Sequence, residues 1–376
     1  MRWSPQQSAA IDEVAAWHRD ALADKRAGRR PSRPVMRVFG YAGTGKTTIA
    51  RAFADRIDGG TVYAAYTGKA ALMMARNGCA DASTIHGMIY KVEEDAYGRV
   101  RFRLDRDSPA AAADLMVIDE CSMVDAEIGE DLLSFRTPVL VLGDPAQLPP
   151  VKGAGFFTDA PADVMLTEIH RQAAGNPIIR LATAARSGER IEHGQHGESR
   201  VVTRGTLDPD EVAAAGQVLV GKNATRRAYN QQLRRVHGFE GPFPRVGEKI
   251  VCLRNDKPKG IFNGGLFSVT ESGSLSADRQ HVEMVVRSDD FPDRAAVDVR
   301  VRREFFDGSP DTIPWQELRG TQQFDFGYAL TVHKAQGSQW GDVIAYDESA
   351  MFREDARRWL YTALTRAADR ITLVTD

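Results

Sequence analysis

Residues 40–48 read GYAGTGKTT, a glycine-rich run closed by a lysine and two threonines. It follows an apolar run, VMRVF (35–39), and leads into a helix-forming stretch, KTTIARAFADRI (46–57). In that context G-x-x-x-x-G-K-[ST] works as a phosphate cradle. The glycines let backbone N–H groups curl round phosphate oxygens, and the helix N-terminus adds positive potential. Gly43, Thr44 and Gly45 then line the cradle, and Lys46 reaches the β- and γ-phosphates. Thr47 holds a magnesium ion, and Thr48 belongs to the same nucleotide-binding set. A second run, LMVIDECSMVD (115–125), carries four apolar residues straight into Asp119 and Glu120. The first carboxylate suits Mg²⁺, directly or through water, and the second suits orienting and deprotonating an attacking water. A third run, VLVLGDPAQLPPV (139–151), delivers Gln147, whose amide can both donate to a γ-phosphate and accept from water. The three together point to a nucleoside triphosphate with Mg²⁺ and to hydrolysis.

These groups need elements that bring them to one place. Through the first 160 residues, short apolar runs at 35–39, 61–65, 115–118 and 139–142 alternate with helical stretches such as KAALMMARN (69–77), which stops at Gly78. The rhythm predicts a doubly wound parallel sheet, with ligands at the C-terminal ends of its strands. It returns at QVLV (217–220), a helix at 223–236, VIAY (343–346), a helix at 354–366 and ITLV (371–374), which predicts a second α/β sheet. Between its halves, residues 245–320 change texture to β-like runs broken by Gly, Pro and Asp, and a small antiparallel barrel is expected there. RVRFRL (99–104) alternates strictly after a Tyr97-Gly98 turn signal, so a hairpin is expected over 91–110, with an apolar face that docks on the core.

Composition agrees with an ordinary globular protein and excludes some alternatives. The 376 residues are 43% hydrophobic and 27% charged, with net charge −2, so this is not a polycation that coats nucleic acid. A local basic groove remains compatible with that balance. The N-terminus, MRWSPQQ, lacks an apolar signal core, and no stretch approaches the ~18 apolar residues of a membrane span. Cys79, Cys121 and Cys252 are scattered and lack metal-ligand spacing, which suits idle thiols in a reducing cytoplasm. A cytoplasmic location is expected.

In their order along the chain, these motifs resemble those of the superfamily 1B DNA helicases of the RecD and Dda type. SPQQ (4–7) resembles the family's adenine-reading element, with Gln7 the better placed. YTGKAALMM (66–74) and STIHGMIY (83–90) resemble the two elements that touch single-stranded DNA from the first core domain. EIHRQ (168–172) is similar to motif IV and puts Arg171 forward as a γ-phosphate finger. YTALTRA (361–367) is similar to motif VI, with Arg366 the second finger. GYALTVHKAQGSQW (327–340) is similar to motif V: Thr331, His333 and Lys334 face the DNA backbone, while Gln336 and Gly337 link DNA to nucleotide. GIFNGGLFSV (260–269) resembles the family's barrel insertion. Gly87 and Gln339 depart from the residues common at those places.

The resemblance implies two RecA-like domains, at 1–90 with 111–162 and at 163–244 with 321–376. It makes the hairpin at 91–110 a wedge and the stretch 245–320 an SH3-like barrel. Thr67, Lys69, Thr84, His86, Asn263, Thr331, His333 and Lys334 form the expected DNA track, with Tyr97 and Phe102 on the wedge. The activity implied is ATP-driven 5′→3′ movement on single-stranded DNA and separation of forked or tailed duplexes, in replication, repair or recombination. An RNA helicase of the same superfamily and a P-loop regulatory ATPase that moves nothing are the alternatives.

Overall fold

The computed structural model describes residues 3–376 apart from 58, 95–99, 151–152, 154, 169–174 and 257. Two compact units divide the chain, Met1–Arg180 and Leu181–Asp376.

The first unit opens with a helix, α1 (Pro5–Arg26). A capping box fixes its start: the Ser4 hydroxyl accepts from the Gln7 N–H, and Gln7 Oε1 accepts from the Ser4 N–H. Pro5 suits the first helical position, and Lys25 and Arg26 meet the negative end of the helix dipole. The strands that follow are β1 (Val35–Gly40), β2 (Thr61–Ala65), β3 (Ser83–Thr84), β4 (Tyr90–Glu94), β5 (Val100–Leu104), β6 (Leu115–Asp119), β7 (Val139–Gly143) and β8 (Val164–Leu166). Helices α2 (Lys46–Ala54), α3 (Gly68–Arg76) and α4 (Ile85–Ile89) lie between them. All strands but β4 and β5 form one parallel sheet, in the order β3-β2-β6-β7-β1-β8.

The central strands are apolar on both faces because both faces are covered. Met36, Val38, Leu115, Val117, Leu140 and Leu142 join one core with α1, α2 and α3. Their neighbours Val35, Met116, Ile118, Val139 and Val141 join a second core with α4 and the helix Ala126–Ser134. This is the parallel-sheet α/β core expected from the alternating runs.

Strands β4 and β5 pair antiparallel as a hairpin spanning Tyr90 to Leu104, and Pro109–Ala112 is a helical turn outside it. The expected docking of its apolar face is only half right. Tyr90 and Leu104 pack against the core, but Val92 is 66% exposed and Phe102 59% exposed. Phe102 meets the His86 and Tyr90 rings on one side only, so most of its surface and that of Val92 stay exposed.

The second unit has a parallel sheet of β10 (Ser199–Thr203), β11 (Gln217–Val220), β17 (Ala329–Thr331), β18 (Trp340–Tyr346) and β19 (Ala367–Thr375), edged by an antiparallel β9 (Gly194–His196). Its order is β17-β11-β18-β19-β10-β9. Strands β12 (Lys249–Cys252), β13 (Leu266–Leu275), β14 (His281–Ser288), β15 (Val297–Arg302) and β16 (Phe324–Phe326) form a separate antiparallel sheet. The fifth strand, β16, lies past residue 320, beyond the stretch that β-like texture marked out. Three residues are too few to carry an alternating signal, so the sequence concealed it. The two outer strands of this sheet approach each other: Gln322, just before β16, exchanges hydrogen bonds with the Arg300 backbone in β15, both at 2.9 Å. The sheet therefore curls towards closure.

A buried ion pair anchors this sheet to the parallel one. Arg234, on the helix Asn223–Val236, grips Glu248 through Nε–Oε1 at 2.6 Å and Nη2–Oε2 at 2.9 Å. The Glu248 side chain is fully buried and the Arg234 side chain nearly so. Glu248 also accepts from the Arg245 N–H, and the Arg234 guanidinium lies 4.0 Å from the Phe326 ring centroid. The pair thus ties the helix to the loop that leads into β12 and to Phe326 in β16. Removing one partner of a buried pair leaves an uncompensated charge, which typically costs about 3–5 kcal/mol. Glu248→Ala should therefore destabilise the second unit by about that amount in urea unfolding. A loss below about 1 kcal/mol would show that water reaches Arg234 and that the pair is not the anchor.

Candidate nucleotide and nucleic-acid site

Three adjacent parallel strands, β6, β7 and β1, end at the same sheet edge and deliver the three motifs there. After β1 the chain turns through Gly43 (φ 81°) and Gly45 (φ 79°), left-handed positions that glycine adopts without strain. Lys46 opens α2 and folds back over the loop, donating to the Gly40 carbonyl at 2.6 Å and the Tyr41 carbonyl at 3.2 Å. Thr44 is buried, its hydroxyl donating to the Tyr41 carbonyl. Gln7 reaches this loop from α1, its Nε2 donating to the Thr44 carbonyl at 3.3 Å. The glutamine expected to read a base is therefore tied into the phosphate loop and the α1 capping box.

Beyond β6, Asp119 Oδ1 accepts from the Glu120 N–H at 2.8 Å. Glu120 itself is left-handed, at φ 52° and ψ 43°. Such a backbone costs a non-glycine residue about 1–3 kcal/mol and recurs at functional sites. It breaks the strand alternation that would send two neighbouring side chains to opposite faces. Cys121 packs beneath the pair, close against Gly143 at the end of β7, and burial pushes its thiol well above the usual range. After β7, Gln147 is buried, and its Oε1 has no hydrogen-bond partner among the described residues. Leaving a buried acceptor unmet costs about 1–3 kcal/mol, and a bound water or ligand donor at this edge would remove that cost. Among the described residues no group of three or more His, Cys, Asp or Glu forms a metal cage.

The next strands along the same edge, β2 and β3, carry the first half of the expected DNA track. The Thr67 hydroxyl caps α3 by accepting from the Ala70 N–H, and the Thr84 hydroxyl caps α4 by accepting from the Gly87 N–H. A capping hydroxyl accepts through a lone pair and keeps its own proton to donate. Lys69, in the first turn of α3, is buried. His86 belongs to an aromatic cluster, with ring centroids 6.4 Å from Tyr66, 5.6 Å from Tyr90 and 5.7 Å from Phe102. The Tyr90 hydroxyl donates to Asp131 at 2.5 Å, which fixes that ring. Phe102 thus sits at the hairpin root beside the β3 motif.

In the second unit, the Thr331 hydroxyl at the end of β17 accepts from the Lys334 N–H at 3.3 Å. Lys334 Nζ donates to Asn263 Oδ1 at 3.1 Å, joining motif V to the inserted sheet, and burial lowers the lysine pKa. His333 packs on Phe352, which stacks on buried Trp359. Gln336 is buried, and Gly337 turns the chain at φ 73°. Arg366 is buried too, its guanidinium donating to the Thr362 and Ser338 carbonyls and the Thr365 hydroxyl, each at 3.1 Å. Motifs V and VI are joined by the Arg366–Ser338 bond, between residues 28 apart in sequence.

Arg171, Tyr97 and the Thr47 side chain lie outside the described residues. The sequence reading quoted Tyr66 and Tyr90 at the ends of their motifs without giving either ring a role, and it missed Phe352, whose isolated ring carries no motif.

Burial lowers the pKa of His18, His86 and His333 below the ordinary 6.5. The folded protein therefore resists a proton that the unfolded chain accepts. The resulting stability is fully present above about pH 6.5 and is lost as pH falls through the folded values. His18 Nε2 faces the Asp114 carbonyl at 3.1 Å, so its neutral form carries the proton there. Unfolding midpoints should drop from about pH 7.5 to about pH 5.5, and His18→Gln should flatten the slope. An identical slope in that variant would assign the acid sensitivity to other groups.

Residues 26–205 match a family model described as an AAA domain, and residues 326–374 match a UvrD-like helicase C-terminal domain. The ATP-dependent RecD2 DNA helicase of Deinococcus radiodurans is 32% identical over 93% of this chain and 47% of that protein. The ATP-dependent DNA helicase dda of phage T4 is 32% identical over 40% of this chain and 38% of that protein. The chain thus spans less than half the length of either relative. Among solved structures, Bacteroides Pif1 bound to single-stranded DNA superposes with a TM-score of 0.60, at 18% identity over 99% of this chain and 92% of that one. That likeness is one of fold. Motif order, strand topology and relatives agree: the chain belongs to the superfamily 1B DNA helicases of the RecD/Dda type.

Proposed function

We propose that the protein is an ATP-dependent DNA helicase that moves 5′→3′ on single-stranded DNA and separates forked or tailed duplexes. One observation carries the reading. A single sheet edge in the first unit holds the phosphate loop, the acidic pair and Gln147, and two strands further on the Thr67–Lys69 and Thr84–His86 set. A nucleotide site and a strand grip that share one rigid edge can be coupled by small movements of that edge. The relatives named above are ATP-dependent DNA helicases, which supports the same reaction here.

In this mechanism the loop amides and Lys46 bind the triphosphate. Thr47 and Asp119 hold Mg²⁺, which when bound neutralises charge developing on the phosphoryl oxygens. Glu120 takes the proton of the attacking water, and Gln147 orients that water. Arg171 and Arg366 stabilise the γ-phosphoryl in the transition state, and Gln7 reads the adenine end. Thr331, His333, Lys334 and Asn263 grip the strand from the second unit. The five-stranded sheet acts as an SH3-like barrel beside the strand. The hairpin acts as the wedge, with Tyr97 and Phe102 meeting bases. The domain limits expected from sequence are amended at three places: β8 (Val164–Leu166) belongs to the first sheet, so the first domain extends past 162; the hairpin spans Tyr90 to Leu104; and the inserted sheet includes β16, past 320.

Glu120→Gln should keep ATP binding and lower turnover by about 10²- to 10⁴-fold. Arg366→Ala should lower kcat by about 10³-fold with little change in nucleotide affinity. Strand displacement on duplexes with a 5′ or a 3′ tail tests direction, and 3′-tail preference would overturn it. The same assay on RNA tails separates the RNA-helicase reading, because backbone grips alone do not choose between the two sugars. Replacing residues 95–103 with a short Gly-Ser turn should leave DNA-stimulated ATPase intact while strand separation collapses. Unwinding at the parent rate would place the wedge elsewhere.

A further inference from the structure

Among the groups expected to grip the strand from the second unit, His333 is held differently from its neighbours. The Thr331 hydroxyl is bonded to the Lys334 N–H, and Lys334 Nζ to Asn263. The His333 imidazole has no hydrogen-bond partner among the described residues, so its direction is set by the ring on which it packs. That ring is Phe352, with centroids 5.4 Å apart and planes tilted by 42°.

Phe352 is itself fixed from several sides. It stacks on Trp359 at 5.6 Å and 16°. Trp359 is fully buried, and its indole Nε1 has no hydrogen-bond partner among the described residues, so packing alone orients this pair. Strands β17, β11 and β18 run parallel and side by side, so motif V, Gly221 and the loop after β18 leave the sheet at one edge. A Cβ at Gly221 would come within 3.0 Å of the Phe352 ring and 2.9 Å of Glu348 Cβ, so only a bare backbone leaves room for this loop. Glu348 ties the loop down. Its carboxylate accepts from the Gly221 and Lys222 N–H groups at 2.7 and 2.9 Å and from the Thr225 hydroxyl at 2.7 Å. Next to the ring, Arg353 takes φ 47° and ψ −109°, a backbone that side chains rarely adopt, and the chain kinks there before the helix Ala356–Leu364. Such strain persists only where the surroundings over-determine it.

We propose that Phe352 is a positioning residue for His333, holding the imidazole so that its unbonded nitrogens stay available to a strand phosphate. The inference rests on the reading of His333 as a strand grip. A ring that merely filled the core would add stability and leave the His333 contact as it was.

The affinity of the full chain for single-stranded DNA, read over a range of salt, tests it. Phe352→Leu keeps an apolar side chain and removes the flat ring. It should weaken DNA binding about fivefold with ATP affinity held within about twofold, and Phe352→Tyr should restore the parent affinity. In a His333→Ala background Phe352→Leu should add nothing. Burial keeps His333 neutral at about pH 7.5, so losing its contact should leave the slope of log affinity on log salt at the parent value. A slope smaller by about 0.7 would mean that Lys334 has been released instead, and overturns the inference. Unchanged affinity in Phe352→Leu, or an equal factor in both backgrounds, overturns it too and leaves His333 on the strand. Phe352→Met takes the place of the leucine should Phe352→Leu fail to fold. If His333→Ala leaves DNA affinity unchanged, the strand-grip reading fails and this inference fails with it.

Discussion

Strand direction is the constraint on which the first unit's chemistry depends. Because β1, β6 and β7 run the same way, their C-terminal ends lie side by side, and each can leave the sheet with a functional group attached. Reversing one strand would move its motif to the other edge, more than a strand length away. The parallel arrangement is kept by apolar residues on both faces of every central strand, which only a doubly covered sheet can bury. Packing and chemistry therefore use the same five-residue runs: the apolar part selects the layer, and the residue just past it selects the reaction.

Much of this was legible in the sequence because period and punctuation agreed. Continuous four- to five-residue apolar runs bounded by Gly, Asp or Thr read as buried parallel strands, and they emerged as β1, β2, β6, β7 and β11. The helix at 223–236 was legible for a related reason, since it presents Leu233 to the core and Arg227 and Arg235 to solvent. Its apparent solvated run RRAYNQQLRR nevertheless hides Arg234, which is buried against Glu248. What stayed hidden depended on tertiary context. The left-handed turn at Glu120 leaves no mark in residue type, because glutamate is not a turn former. β16 was too short to show alternation, and the aromatic cluster at His86 is assembled from three separate segments. The capping box at Ser4 was written in the sequence, but the bond from Gln7 to the Thr44 carbonyl exists only once α1 lies against the phosphate loop.

The two insertions are held by different physics. The inserted sheet shares a continuous apolar core with the second parallel sheet, from Val218 and Val220 through Ile250 and Phe267 to Val299. The Arg234–Glu248 pair sits at its base, and a buried ion pair is better suited to fixing an orientation than to adding net stability. That sheet is built to keep a set angle. Among the described residues the hairpin rests on the core through Tyr90 and Leu104 and on the His86 ring through Phe102, so its outer part is stiffened chiefly by its own cross-strand pairs.

The hairpin's open face also bears on how the molecule behaves in a crowded solution. A two-stranded ribbon has two unpaired backbone edges, and this one adds the bare side chains of Val92 and Phe102, a combination that invites another chain to extend the sheet. The opposite face carries Lys91, Glu93, Arg101 and Arg103, with Arg103 bonded to Glu93 at 3.0 Å and Lys91 to Asp105 at 2.7 Å. These charges act as gatekeepers, since a second ribbon approaching edge-on must strip them of water and meet like charge. Their protection is electrostatic and weakens as salt shortens the screening length, from about 10 Å at 0.1 M to about 3 Å at 1 M. The ribbon's edges are therefore best guarded in dilute salt, and concentrated salt removes the repulsion that keeps a second ribbon away.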